Sequence, residues 1–347
     1  MPNLFNNTFS NKNKIKLVHY DKGDMDYVLY IPKNMEPGTP ILLESNNYET
    51  KNTKSLKSSA IQTCKDRAEL MDRRCPVLIP VLPSFETGNA YYQQLSKESL
   101  KEKRYDEFIT GIVQDAKAKL QKEGFEPADK VFLHGYSSSG NFAQRFSMLH
   151  PEIIGSAVIG GASDGIPTLS EKIGYPYGIK NFENDFGKPF NKDAYNKIDF
   201  TYYVGELEYE MPSEERVKDN GSTAPMHDMS YFHRSADPDT GRQLRKLYGT
   251  ENENTWNRVS NQIREARSHG VNIEHKFFTN CAHNDRDAQY LSDKGYFALG
   301  TDQMIKMAKP LVEKSFNNMI SRSRIQKTMV KAEQFSEMKN EQQMTLA

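Results

Sequence analysis

Cysteine is scarce in this chain of 347 residues: Cys64, Cys75 and Cys281 are odd in number and far apart, with no C-x-x-C pair among them. This excludes a disulfide scaffold, a paired-thiolate metal site and a dithiol redox couple, and free thiols in a reducing compartment account for all three. Neither sign of charge is in excess, since Lys plus Arg and Asp plus Glu both number 46. No global field therefore draws the chain to nucleic acid or to an anionic membrane, and a small-molecule partner fits better. Long apolar runs are missing too, so nothing approaches the roughly 20 residues that a helix needs to span a bilayer. Met1 to Lys16 is polar and Asn-rich, without the apolar core of a secretory signal, and the expectation is a cytoplasmic protein. Hydrophobic residues make up only 37%. They nevertheless fall into apolar runs alternating with amphipathic stretches, which a disordered chain would not show.

What is present is an alternation of strands and helices. Residues 14–20 and 26–31 alternate as an opening strand pair around the turn Asp21-Lys22-Gly23-Asp24. Ile41-Leu42-Leu43 and Val77 to Leu82 read as strands buried on both faces, with a helix-like stretch 54–73 between them. From Lys101 to Lys122, Tyr105, Phe108, Ile109, Ile112, Val113, Ala116 and Leu120 recur at three- and four-residue intervals, the pattern of one helix face. Further strands are predicted at 157–159, 201–204 and 271–278. Helices are predicted from Thr255 to Gly270 and near 302–318, with a bend at Pro310. The expected organisation is one α/β domain over 1–320, with loop-rich lid or cap insertions at about 163–198 and 209–241. A polar tail, 321–347, is expected to fray. Its basic residues Arg322, Arg324, Lys327 and Lys331 suit a solvated helix or tail.

The chemistry centres on Val131-Phe132-Leu133-His134-Gly135-Tyr136-Ser137-Ser138-Ser139-Gly140, an apolar strand running into serines and then a helical pattern. It reads as a nucleophile elbow, a turn so sharp that residues two before and two after the serine nearly touch and must be small. With Ser137 as nucleophile those residues are Gly135 and Ser139. Ser138 would put Tyr136 at a crowded position, and Ser139 would put Asn141 there. The plainer reading is a Ser/Gly turn of the kind any α/β protein contains.

A mostly parallel sheet places sites at the carboxyl ends of its strands. Glu208 lies three residues past Gly205, and His283 follows the strand at 271–278. Ser137, Glu208 and His283 thus come in the chain order nucleophile, acid, histidine. The chain resembles serine hydrolases of the α/β-hydrolase superfamily, near bacterial esterases of the polyhydroxybutyrate-depolymerase and feruloyl-esterase-like groups. The resemblance rests on the elbow with Arg145-Phe146 and Leu149-His150-Pro151 downstream, on Gly205-Glu206-Leu207-Glu208 and on Cys281-Ala282-His283, and it spans about residues 25–318. It implies an α/β-hydrolase fold and a Ser-His-Glu triad, with Glu206 an open alternative for the acid. It also implies oxyanion donors on Ser138 and Asn46. Two departures stand out: Ser139 replaces the elbow's last glycine, and Glu44-Ser45-Asn46-Asn47 replaces the His-Gly frequent in the oxyanion loop of relatives.

These types imply cleavage of a carboxylic ester through an acyl-enzyme, with no cofactor and no metal. His227, Asp228 and His233 match no metal-ligand spacing. Glu210 and Asp228 share the charged stretch with Glu208 and suit a solvated surface. Tyr91, Tyr92, Tyr175 and Tyr177 line a pocket or cover the core. A peptidase or acyltransferase on the same scaffold, and a binding protein that has lost catalysis, are the rival readings. The residues give neither the acyl group nor the oligomeric state.

Overall fold

A computed structural model describes residues 13–47, 52–82, 95–162, 165–208, 242–244, 246, 255–283, 285–293 and 297–345. Tyr91, Tyr92, Glu210, His227, Asp228, His233 and the insertion at 209–241 lie outside them. The frame is one eight-stranded sheet: β1 Lys14–Tyr20, β2 Met25–Ile31, β3 Leu42–Leu43, β4 Val77–Pro80, β5 Val131–Tyr136, β6 Ile154–Gly160, β7 Asp199–Gly205 and β8 Ile273–Phe278, in the order β1-β2-β4-β3-β5-β6-β7-β8. The two pairings made by β2 are antiparallel, and every pairing from β4 to β8 is parallel. This is the α/β-hydrolase arrangement, a mostly parallel sheet in which one strand feeds a sharp turn into a helix.

Helices cover both faces. They are α1 Thr53–Leu70, α2 Lys97–Glu102, α3 Tyr105–Lys122, α4 Ser138–Leu149, α5 Phe182–Phe186, α6 Lys192–Tyr195, α7 Thr255–Ser268, α8 Asp285–Asp293 and α9 Thr301–Thr345. The pleat sorts the core. Tyr27 and Leu29 of β2 face a cluster with Ile109 and Val113 of α3, Phe142 and Phe146 of α4 and Val259 and Ile263 of α7. Val28 and Tyr30, one residue out of phase, face Ala60 and Cys64 of α1 and Ala308, Val312 and Phe316 of α9.

Two segments depart from the sequence expectations. Within 165–198, expected as a lid or cap, Ile166, Leu169, Tyr175, Phe182, Phe186 and Tyr195 are buried in the main core, and the Tyr175 hydroxyl donates to Leu95 O at 2.7 Å. The segment is irregular apart from the short helices α5 and α6, too brief to show a sustained period, and Tyr175 covers the core. In addition, the helix predicted to end near 318 continues to Thr345. No Gly or Pro follows Pro310, and the polar segment is rich in Lys, Glu, Gln and Met, all good helix formers. Among the described residues no helix is long and apolar enough to cross a membrane.

Candidate active site

The strand β5 is buried along its whole length and ends at Tyr136. Ser137 then takes φ 58° and ψ −120°, a conformation that costs a non-glycine residue about 1–3 kcal/mol and persists only when its surroundings enforce it. They do so on both sides: Ser137 N–H donates to Gly160 O at 2.9 Å, and Ser137 O accepts from Asn141 N–H at 3.0 Å. A Cβ on Gly135 would lie 2.1 Å from Ser139 O, so position 135 must be glycine. Ser139, two residues beyond Ser137, is fully buried and its hydroxyl is hydrogen-bonded. Its Oγ accepts from Tyr136 N–H at 2.9 Å and lies 3.1 Å from a carboxylate oxygen of Glu44.

Ser137, Glu208 and His283 all follow parallel strands at their carboxyl ends, and the structure brings them together. His283 Nε2 is 2.9 Å from Ser137 Oγ, and His283 Nδ1 is 2.9 Å from Glu208 Oε2. A carboxylate only accepts, so Nδ1 carries the hydrogen and Nε2 faces the hydroxyl as acceptor. Glu208 is fully buried, and its other oxygen accepts from Gly205 N–H at 2.8 Å, which fixes the carboxylate plane. Glu206 points elsewhere and accepts from Asn280 N–H at 3.1 Å. The geometry thus couples Glu208, and not Glu206, to the imidazole.

The histidine is held from three sides. The Tyr136 hydroxyl donates to His283 O at 2.6 Å, and Thr301 Oγ1 donates to the same oxygen at 3.1 Å. The Tyr136 ring stacks on the imidazole, centroids 5.3 Å apart and planes 23° off parallel. Behind the loop, Ala282 packs with Ala288 and Leu291 of α8, a helix that the sequence analysis did not identify. Burial pushes the neighbouring Cys281 thiol up to about 11, with the Glu208 and Glu206 charges adding to it, so it stays protonated beside the site.

Ser138 is the first residue of α4, half-buried, with its N–H among the donors that a helix N-terminus leaves free. Asn46 lies in the loop after β3, fully buried, and neither Oδ1 nor Nδ2 has a hydrogen-bond partner among the described residues. The site also contains groups that the sequence analysis missed. Glu44 is 1% exposed, and Arg67 of α1 grips it through Nε at 2.6 Å and Nη2 at 2.9 Å. His134 Nδ1 approaches the same carboxylate at 2.6 Å. Burial pushes the Glu44 carboxyl up, but the Arg67 guanidinium, the largest of the lowering influences, and the contacts with His134 bring it down to about 2. The signal was a carboxylate directly after a buried strand, a place where an unpaired charge is not tolerated. No group of three or more His, Cys, Asp or Glu able to hold a metal occurs among the described residues.

No protein-family model matches the chain, and no curated protein matches it. Solved structures similar to it include a thermostable esterase, at 12% identity over 89% of this chain and 62% of that one, with a TM-score of 0.45. A poly(3-hydroxybutyrate) depolymerase from Bordetella parapertussis is similar at 13% identity over 84% and 92% of the two chains, with a TM-score of 0.45. The poly(aspartic acid) hydrolase-1 from Sphingomonas sp. KT-1 is similar at 14% identity over 81% and 97%, with a TM-score of 0.43. This chain therefore spans less than two thirds of the thermostable esterase.

Proposed function

We propose that the protein is a serine hydrolase that cleaves a carboxylic ester of a small molecule through an acyl-enzyme. The observation that carries this reading is the unbroken relay from Glu208 through His283 to Ser137, two 2.9 Å hydrogen bonds ending on a serine at a strained elbow. A serine hydroxyl is a weak nucleophile until a base within hydrogen-bond reach can take its proton. Ser137 Oγ attacks the ester carbonyl carbon while its proton passes to His283 Nε2, and Glu208 stabilises the imidazolium so formed. The negative charge moves to the former carbonyl oxygen, where the Ser138 N–H and a donor on Asn46 receive it. Collapse breaks the carbon–alkoxide bond, and His283 returns the proton to the leaving alcohol. Water then attacks the acyl-serine by the same route, releasing the acid and restoring Ser137.

Ser139 and the loop from Glu44 to Asn47 depart from the pattern of the relatives, but they are well bonded around the elbow, which favours a working site over a decayed one. Turnover of a short-chain aryl ester provides the test. Ser137→Ala is expected to lose about 10⁴-fold or more, and Glu208→Gln about 10⁴-fold. Glu206→Gln is expected to stay near the unsubstituted rate. Undiminished turnover by Ser137→Ala would contradict the proposal, and faster cleavage of the matching amide would move it to a peptidase.

A further inference from the structure

The strand β3 is two residues long, too short to hold by its own ladder the loop that follows it. Residues 44–46 are nonetheless fully buried, and side chains do the holding. Four donor groups surround Glu44. Arg67 Nε at 2.6 Å and His134 Nδ1 at 2.6 Å reach Oε2, while Arg67 Nη2 at 2.9 Å and Ser139 Oγ at 3.1 Å reach Oε1, the single Ser139 hydroxyl hydrogen being shared between Glu44 and Tyr136 O at 3.0 Å. Three residues on, the Asn47 amide spans the elbow itself. Its Nδ2 donates to Tyr136 O at 2.7 Å, and its Oδ1 accepts from Ser139 N–H at 2.5 Å. Ser139 Oγ closes the circle by accepting from Tyr136 N–H at 2.9 Å.

The residue before Ser137 and the residue two after it are therefore both tied to the loop that is to supply the second oxyanion donor. The two departures from the relatives' pattern, a serine in the elbow and an acidic loop start, prove to be hydrogen-bond partners. A glycine at 139 could not reach Glu44, and a Glu44 without that hydroxyl would lose its one direct bond to the elbow turn.

We propose that Glu44 and Ser139 are positioning residues: their hydrogen bond, anchored by Arg67 and seconded by Asn47, fixes residues 44–47 against both flanks of Ser137 and so sets where the oxyanion donors stand. This rests on the reading of Ser137 as nucleophile. The pair touches no reacting atom, so its effect belongs in the chemical step rather than in substrate binding, because misplacement by a fraction of an ångström weakens oxyanion stabilisation steeply.

The test compares aryl-ester kinetics, melting temperature and the rate of fluorophosphonate labelling across a small set of variants. Ser139→Gly restores the residue that an elbow ordinarily carries and should fold. It is expected to lower kcat and the labelling rate about tenfold or more, with KM within about twofold of the unsubstituted protein. Glu44→Leu/Arg67→Met removes the buried charges together but leaves His134 Nδ1 without that acceptor, so some loss of melting temperature is expected along with the same split between kcat and KM. Adding Ser139→Gly to it should cost less than Ser139→Gly costs alone, since the bond to Glu44 is already gone and only the contacts of the hydroxyl with Tyr136 remain to be lost. An unimpaired Ser139→Gly variant, or full additivity in the triple variant, would overturn the positioning role, and Ser139→Gly alone decides if the double variant does not fold. Unsubstituted protein that neither turns over ester nor takes label on Ser137 would remove the hydrolase reading and this role together.

Discussion

Ser137 carries its own signature in the backbone. With φ at 58° it sits where glycine is at ease and serine is not, so the strain can be measured apart from the chemistry. Ser137→Ala and Ser137→Gly both lose the bond to His283, but glycine relieves the backbone. The glycine variant is expected to be more stable by about 1 kcal/mol in denaturant titration, with both inactive; equal stabilities would mean that the elbow is unstrained. Gly135→Ala acts in the other direction, since its methyl would meet the Ser139 carbonyl at 2.1 Å. A loss of about 3 kcal/mol is expected for it. Both positions were legible in the sequence because the elbow is a steric rule written in neighbouring residues. The pairing of Glu44 with Arg67 was not, because 23 residues separate them and nothing local says that the carboxylate just after β3 meets a side chain in the last turn of α1.

Among the elements, the strands and α3 were legible because each repeats a simple period, two or three-to-four, over its length. Tyr105–Lys122 buries Ile109, Ile112, Val113, Ala116 and Leu120, the residues that the spacing had marked. The end of α9 was not legible, because its apolar period fades where the helix leaves the sheet while its helix-forming composition does not. That division is testable within one helix. Phe316 is fully buried, edge-on to Phe132 at 5.3 Å, and Phe316→Ala is expected to cost about 3–5 kcal/mol. Ile325, nine residues on, is 60% exposed, and Ile325→Ala is expected to change stability by less than about 0.5 kcal/mol. Comparable losses from both, read in the same melts, would mean that the outer part of the helix is packed. The core residues of 165–198 were not legible for the opposite reason, being spread over irregular backbone and two helices too short to repeat a period.

For the whole molecule, stability in acid follows from carboxylates buried on ion pairs. Glu44 is held near 2, and Asp106, gripped by Arg104 at 2.7 Å and by His150 at 2.8 Å, lies well below the usual range, the pairing outweighing burial. Carboxyls depressed in the folded state stabilise it fully above their unfolded values near 4 and lose that contribution as pH falls through the folded ones. The melting temperature should therefore be level above about pH 5 and fall steadily towards pH 2, with Glu44 alone contributing about 3 kcal/mol. Glu44→Leu/Arg67→Met should flatten that fall, and an unchanged slope would assign it to other groups. The sheet delivers three distant residues, Ser137, Glu208 and His283, to one rim, and their joint action is the central claim. Mass spectrometry of the folded protein after reaction with a fluorophosphonate measures it most directly. One adduct per chain on Ser137, absent from His283→Ala and from unfolded protein, is the predicted result; no adduct, or one on Ser138 or Ser139, would contradict it.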